Sequence, residues 1–229
     1  MTLLEYGDAR LSPRAPAMDQ LTLDFGPPPP PGFGNFVAGG NAECVAALRR
    51  LLAQLDQGAA PEPRFFYIWG PAGSGKSHLA AALAGRLQPR LLVVDDCDRL
   101  DADAQQRLFH RFNDLIAQPD QALVAFGNDA PARLGLLPDL VSRLGWGVVF
   151  ALTPLGDAEL MTAFEQAARE RGLAIDADVV THLLNHARRD IASFKGVLDA
   201  LDRLSLQQKR PVTLQLLRQV LARPGDPLR

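Results

Sequence analysis

A glycine-rich segment has the residue types and the spacing of a phosphate-binding loop. It fits the pattern G-x-x-x-x-G-K-[ST], in which backbone N–H groups and the start of a helix surround an anion. The lysine of such a loop supplies a cation for the β and γ phosphates of a nucleotide, and the hydroxyl residue supplies a ligand for Mg²⁺. We therefore expect ADP or ATP with Mg²⁺ to bind at Gly70, Pro71, Ala72, Gly73, Ser74, Gly75, Lys76 and Ser77. The next residue, His78, is included in the predicted cofactor site.

Two carboxylates follow a short apolar run. Residues 91–94 (Leu-Leu-Val-Val) predict a buried strand, and Asp95 and Asp96 come directly after it. Beside a phosphate-binding loop, this arrangement predicts that Asp95 holds Mg²⁺, directly or through water, and that Asp96 orients or polarises an attacking water. Asp98 and Asp101 follow closely, so a capping role for these acidic residues is the alternative interpretation.

Three further positions have side chains suited to phosphoryl transfer. Asn128 ends the next apolar run and can reach a γ-phosphate or the lytic water, although Asn-Asp-Ala-Pro also favours an ordinary turn. Arg143 comes just before the last predicted strand. An arginine there can project to a neighbouring subunit's γ-phosphate and accelerate transfer about 10³–10⁵-fold, or be a solvated surface group. Arg188 and Arg189 either fold back over the nucleotide or form an exposed pair.

The elements that must position these residues follow from hydrophobic periodicity. Strands are predicted at residues 65–69, 91–94, 122–126 and 148–152, with helices at 41–57, 77–87 and 101–118. After Pro154 only amphipathic helices are predicted, at residues 157–171, 176–188, 190–207 and 213–222.

These elements predict the fold class and the division of the chain. An α/β P-loop domain with a parallel sheet spans residues 36–154, and an all-α domain spans residues 155–229. Residues 1–35 are predicted to be a flexible tail, because the five consecutive prolines at 27–31 can join neither a helix nor a sheet.

Composition narrows the class of function. The 229 residues are 47% hydrophobic, which is enough for a buried core. The net charge is −2, whereas proteins that bind nucleic acid directly commonly have a strongly positive net charge. The two cysteines have no metal-site spacing, and no apolar stretch of about 18 residues is present. We therefore expect a soluble cytoplasmic protein without a membrane partner.

The order of these motifs resembles the AAA+ ATPases of the DnaA clade over most of residues 33–222. Residues 33–37, with Val37, are similar to the segment whose backbone cups the adenine in that clade. Asn128 matches the sensor 1 position, Arg189 matches sensor 2, and residues 139–146 look like the arginine-finger box with Arg143 as the finger. The resemblance implies that Arg143 acts in trans and that Arg189 contacts the cofactor.

The tail and the chain end refine what this resemblance implies. Gln20, Leu21, Leu23 and Phe25 lie in a segment similar to a motif that binds the DNA polymerase III β sliding clamp, and no helix-turn-helix domain follows residue 222. Within the clade this implies a negative regulator of replication initiation that promotes hydrolysis of DnaA-bound ATP, with little turnover of its own. DNA would be contacted indirectly through the clamp, and a homo-oligomer is possible. The alternative is a DnaC-like helicase-loading ATPase or another AAA+ ATPase acting on DNA.

One departure from the clade concerns the sheet. Only residues 88–90 separate the predicted P-loop helix from the aspartate strand, where the family places a further strand and helices. We therefore expect a four-stranded sheet in which the aspartate strand is an exposed edge.

Overall fold

The computed structural model describes residues 30–186 and 191–222 of the chain. It consists of an α/β part followed by a helical part. The elements, in chain order, are α1 (Ala42–Asp56), β1 (Phe65–Trp69), α2 (Lys76–Leu83), β2 (Leu91–Val94), α3 (Ala102–Ile116), β3 (Ala122–Gly127), α4 (Pro138–Trp146), β4 (Val148–Ala151), α5 (Asp157–Glu170), α6 (Ala177–His186), α7 (Ile191–Gln208) and α8 (Leu214–Leu221).

The sheet is parallel, with the strand order β2-β3-β1-β4. Phe66 of β1 pairs with Val124 of β3 on one side and with Val148 of β4 on the other. All six residues of the central strand β3 are buried, whereas the residues of β2 after Leu91 are only partly buried. The predicted four-stranded sheet with the aspartate strand at its edge is therefore confirmed.

Alternation along β1 builds a core on each face of the sheet. Phe66 and Ile68 point to the face covered by α1 and α2, where Leu48 and Leu79 are completely buried. Phe65 and Tyr67 point to the opposite face, which is covered by α3 and α4. Because both faces are covered, the strands read as continuous apolar runs in the sequence.

The helical part has a core of its own, formed by α5, α6, α7 and α8. Phe164 of α5 and Phe194 of α7 meet edge to face, with ring centroids 5.9 Å apart. Among the described residues no strand follows β4, as predicted, and no helix is long and apolar enough to cross a membrane.

Two elements differ from the prediction. Helix α2 ends at Leu83 rather than near residue 87, because Ala84 is extended (ψ 138°) and Gly85 adopts a left-handed backbone with φ of 73°. Helix α4 was not predicted as a helix. It is only nine residues long, and its first residue is Pro138, a residue type that fits the first turn but also occurs in ordinary loops.

Arg64 ties the start of β1 to the end of α3. Its guanidinium lies 4.5 Å from the centroid of the Phe65 ring and donates to main-chain oxygens at and beyond the C-terminus of α3. The acceptors are the carbonyl oxygens of Leu115 (2.6 Å), Ile116 (2.9 Å), Gln118 (3.0 Å) and Gln121 (3.2 Å). The positive charge thus meets the helix end where carbonyl groups lack intrahelical partners.

Gly147 lets the end of α4 approach the start of β1. A Cβ atom at this position would lie 2.2 Å from the carbonyl oxygen of Phe65, closer than any side chain tolerates. The close approach places the ring of Trp146 next to that of Phe65, with centroids 5.9 Å apart and planes 22° from parallel.

Candidate nucleotide-binding site

The P-loop connects β1 to α2 in the conformation that an anion cradle requires. Gly73 and Gly75 have φ values of 81° and 95°, which turn successive backbone N–H groups towards one side of the loop. A Cβ on Gly75 would also lie 2.7 Å from the ring of Phe36. The hydroxyl of Ser74 is buried and has no hydrogen-bond partner among the described residues. A cradle of N–H groups with an unpartnered buried hydroxyl fits a nucleotide phosphate.

Lys76, the first residue of α2, is held inside the loop. Its ammonium donates to the carbonyl oxygens of Gly70 (2.6 Å) and Pro71 (3.0 Å), and the residue is 7% exposed. Burial lowers the pKa of Lys76, and the carboxylates that follow β2 oppose this shift. The cation therefore lies where phosphates on the loop would be neutralised, with carboxylates of the aspartate strand on the same side.

The two predicted magnesium ligands, Ser77 and Asp95, are both exposed. Ser77 lies in the first turn of α2, and Asp95 lies directly after β2. No group of three His, Cys, Asp or Glu side chains among the described residues could hold a metal alone. Mg²⁺ commonly combines one or two protein ligands with phosphate oxygens and water, so Ser77 and Asp95 fit a metal that arrives with a nucleotide.

Asp96 has an unusual backbone for a non-glycine residue. Its φ of 48° is left-handed, and its N–H donates a hydrogen bond to the Asp95 carboxylate at 2.9 Å. Its own carboxylate lies 3.5 Å from Arg99 in an exposed ion pair. The carboxylate predicted to act on water therefore has a cation next to it.

Asn128 contacts an acidic residue from the neighbouring strand end. Its amide nitrogen donates to one oxygen of Asp98 at 2.6 Å, and the other oxygen of Asp98 is buried without a partner among the described residues. One proton of the Asn128 amide is thus committed to Asp98, which fixes the amide's orientation. Sequence reasoning assigned Asp98 only a capping role, because this contact depends on β2 and β3 being neighbours.

A cleft lies between the P-loop and the helical domain. Val37 lines it and is 36% exposed, while Phe36 and His78 place their rings 5.3 Å apart. His78 is also hydrogen-bonded to the Gly32 carbonyl at 3.0 Å, so residues that we predicted as tail already contact α2. The residues lining the cleft are Asn35, Phe36, Val37, Asn41, Gly73, Ser74, Gly75, His78, Leu155, Leu160 and Lys195.

Asn41 joins this cleft to the segment that leaves the sheet. Its amide nitrogen donates to the carbonyl oxygen of Thr153, and its amide oxygen accepts from the N–H of Thr153, both at 2.9 Å. The side chain is 5% exposed, so both bonds are shielded from water. The wall of the cleft is thereby fixed to the connection between the two domains.

Lys195 of α7 is a cleft residue that sequence reasoning missed. It is half-buried, and burial is the main cause that lowers its pKa, with Arg171 lowering it further. Its charge also contributes to the lowered pKa of His78, so the two side chains share one electrostatic environment. The sequence carries one weak signal, a lysine directly after the core residue Phe194 in an amphipathic helix.

Arg143 lies in a different groove, of about 500 Å³. This groove, which we call the α4 groove, is lined by Phe109, Asp139, Ser142, Arg143 and Trp146. None of these residues lines the cleft beside the P-loop. The predicted finger is therefore not part of the chain's own cleft.

Some predicted site residues lie outside the described part of the chain. The segment with the clamp-binding motif is one case, and the two arginines between the end of α6 and the start of α7 are the other. These residues are Gln20, Leu21, Leu23, Phe25, Arg188 and Arg189.

The fold has counterparts among known structures. A parallel sheet with a P-loop after its first strand, aspartates after an edge strand separated from it by β3, and a helical domain at the end resembles the AAA+ arrangement. The chain superimposes on domain III of the replication initiation protein DnaA from Thermotoga maritima with a TM-score of 0.68 and 21% identity, covering 85% of this chain and 96% of that one. AMPPCP-bound DnaA from Aquifex aeolicus gives 0.60 and 20%, covering 78% and 68%. The RuvB Holliday junction branch migration motor of Thermotoga maritima gives 0.61 and 17%, covering 84% and 71%.

The helical domain gives a narrower assignment. Residues 157–221, which contain α5 to α8, match the family model described as the lid domain of Hda. The chain therefore has the fold of DnaA domain III, and its helical domain is similar to the lid domain of Hda.

Proposed function

We propose that this chain is an Hda-like negative regulator of replication initiation. In this proposal it binds ADP or ATP with Mg²⁺, docks on the DNA polymerase sliding clamp through residues 20–25, and promotes hydrolysis of the ATP bound to DnaA. DnaA and the clamp are its partners, and DNA is reached through the clamp.

The observation that carries the proposal is the separation of Arg143 from the chain's own cleft, combined with the Hda lid. An arginine that stabilises phosphoryl transfer must come within contact of the γ-phosphate. Arg143 lies in the α4 groove, which shares no lining residue with the cleft beside the P-loop. A nucleotide on a neighbouring AAA+ subunit is the target that suits this position.

The chain's own nucleotide has a structural role in this proposal. Lys76 and the P-loop N–H groups bind its phosphates, Ser77 and Asp95 hold Mg²⁺, and the cleft residues of the helical domain close over it. Asn128, held by Asp98, and Asp96 could orient water, but the Asp96 carboxylate is paired with Arg99. We therefore expect the chain's own turnover to be slow.

A hydrolysis assay on ATP-bound DnaA tests the function. The reaction contains DnaA, the chain, ADP and clamp loaded on DNA, and the conversion of DnaA-bound ATP to ADP is followed. We expect hydrolysis to depend on the chain and on loaded clamp. The alternative, a helicase-loading ATPase, predicts instead that DnaA-bound ATP is unaffected and that single-stranded DNA stimulates the chain's own ATPase.

The clamp motif gives a separate prediction. The residues predicted to contact the clamp are Gln20, Leu21, Leu23 and Phe25, whereas Thr22 and Asp24 of the same segment are not among them. The double variant Gln20→Ala, Leu21→Ala should lose most clamp binding in a pull-down, whereas the matched control Thr22→Ala, Asp24→Ala should keep it. Equal retention of both variants would contradict the clamp assignment.

Lys195 should contribute to nucleotide affinity. A charge-assisted contact with a phosphate is worth about 1.5–3 kcal/mol, so Lys195→Ala should raise the Kd for ADP about 10-fold or more in a calorimetric titration. Lys209→Ala, at an exposed lysine after α7, is the matched control and should leave the Kd unchanged. An unchanged Kd for Lys195→Ala would show that the lid lysine makes no contact with the ligand.

A further inference from the structure

The guanidinium of Arg143 is held by a ring rather than by an anion. Its central carbon lies 5.6 Å from the centroid of the Trp146 ring, three residues further along α4. No carboxylate of the described residues lies within 4.0 Å of it, although Asp139 lines the same groove. The cation is thus restrained without being neutralised.

The ring itself is anchored from the other side. Trp146 is near parallel to Phe65 at 5.9 Å and tilted against Phe112 at 6.2 Å, and these two phenyl rings stack at 4.4 Å. Both phenylalanines are buried, whereas Trp146 is 59% exposed. A ring with a buried anchor and an exposed surface can hold a neighbouring cation at a fixed place on the protein surface.

We propose that Trp146 is a positioning residue for Arg143, holding its guanidinium over the indole while leaving its charge available for a phosphate on a partner. This inference rests on the proposed function, in which Arg143 acts on DnaA-bound ATP. An ion pair would also restrain an arginine, but it would compete with the phosphate for the same donors. A cation–π contact leaves the edge of the guanidinium free for bidentate contact with phosphate oxygens.

The test compares two apolar replacements of Trp146. Trp146→Phe keeps a π face, while Trp146→Leu keeps apolar packing and removes that face. Hydrolysis of DnaA-bound ATP is measured over a range of concentrations of the variant. We expect Trp146→Leu to lower the maximal rate about 5- to 10-fold with the half-maximal concentration within 2-fold of wild type, and Trp146→Phe to stay within about 2-fold in both. In an Arg143→Ala background, Trp146→Leu should have no further effect.

The possible outcomes separate the two proposals. If the Arg143→Ala variant stimulates the hydrolysis of DnaA-bound ATP as well as wild type does, the proposed function fails and the inference fails with it. If Arg143→Ala is inactive but Trp146→Leu equals wild type, only the inference is overturned. Equal losses for Leu and Phe, or a loss confined to the half-maximal concentration, also overturn it, because ring shape or docking would then be the cause. Urea unfolding of each variant checks that the fold is retained.

Discussion

Replacing Arg143 by alanine should reduce the stimulated hydrolysis of DnaA-bound ATP about 10³-fold, the lower end of what arginine fingers contribute. The side chain acts on charge that develops on the transferred phosphoryl group, so its loss affects the rate more than the docking of the two proteins. Rates are measured at saturating chain with clamp and DNA present. Arg143→Lys should recover little, because a point charge replaces a planar fork.

Two controls make this result specific. Arg133→Ala removes an exposed arginine shortly before α4 and should leave the stimulated rate within about 2-fold of wild type. ADP should stabilise Arg143→Ala as it stabilises wild type, by about 2.7 kcal/mol at 100 times the Kd, because the α4 groove is separate from the cleft. If the Arg143→Ala variant stimulated hydrolysis of DnaA-bound ATP fully, the proposal that Arg143 acts on the ATP of a partner would be contradicted.

Arg64→Ala should lower the free energy of unfolding of the α/β domain by about 3 kcal/mol. The substitution leaves four carbonyl oxygens around the end of α3 without their charged donor, and hydrogen bonds to charged groups contribute about 1.5–3 kcal/mol each when isolated. The contact with Phe65 is lost as well. The measurement is the urea midpoint, with an unchanged slope indicating that the native and unfolded states are otherwise comparable.

The comparison variants for Arg64 distinguish geometry from charge. Arg64→Lys should recover less than half of the loss, because one ammonium cannot replace the fork across four acceptors. Arg86→Ala, at an exposed position after α2, should change stability by less than about 0.5 kcal/mol. A loss below 1 kcal/mol for Arg64→Ala would mean that water replaces the guanidinium at these carbonyl groups.

Strands β1 and β3 could be predicted from sequence because they are buried on both faces. Residues 65–69 and 122–126 are continuous apolar runs, and the position of β2 at the edge was predicted from the resemblance to the DnaA clade, whose further strand is missing between α2 and β2. The end of α2 could not be placed, since the apolar pattern continues to Leu87 while the backbone at Gly85 has already left the helix. The hydrophobic pattern of a segment predicts which side chains are buried, but it does not predict the backbone angles at which a helix ends.

The site residues also fall into two groups, those that belong to local sequence motifs and those that are placed by tertiary packing. The P-loop and the aspartates after β2 are local motifs, so both could be identified from the sequence. Asp98 and Lys195 reach their sites through the packing of distant parts of the chain, and the sequence spacing of neither residue predicts this. From the sequence alone, Arg64 is an ordinary loop arginine. Its contacts exist only because the end of α3 packs beside the start of β1.

The pairing of Asn41 with Thr153 has a consequence for how the helical domain can move. Both main-chain polar groups of Thr153 are bound by one side chain, and the N–H of Gly156 is bound by the Glu159 carboxylate at 2.8 Å. The backbone on both sides of Pro154 and Leu155 is thereby restrained, and Leu155 itself lines the cleft beside the P-loop. Because Leu155 is part of the cleft wall, a rotation of the helical domain about these two residues would also change the shape of the cleft.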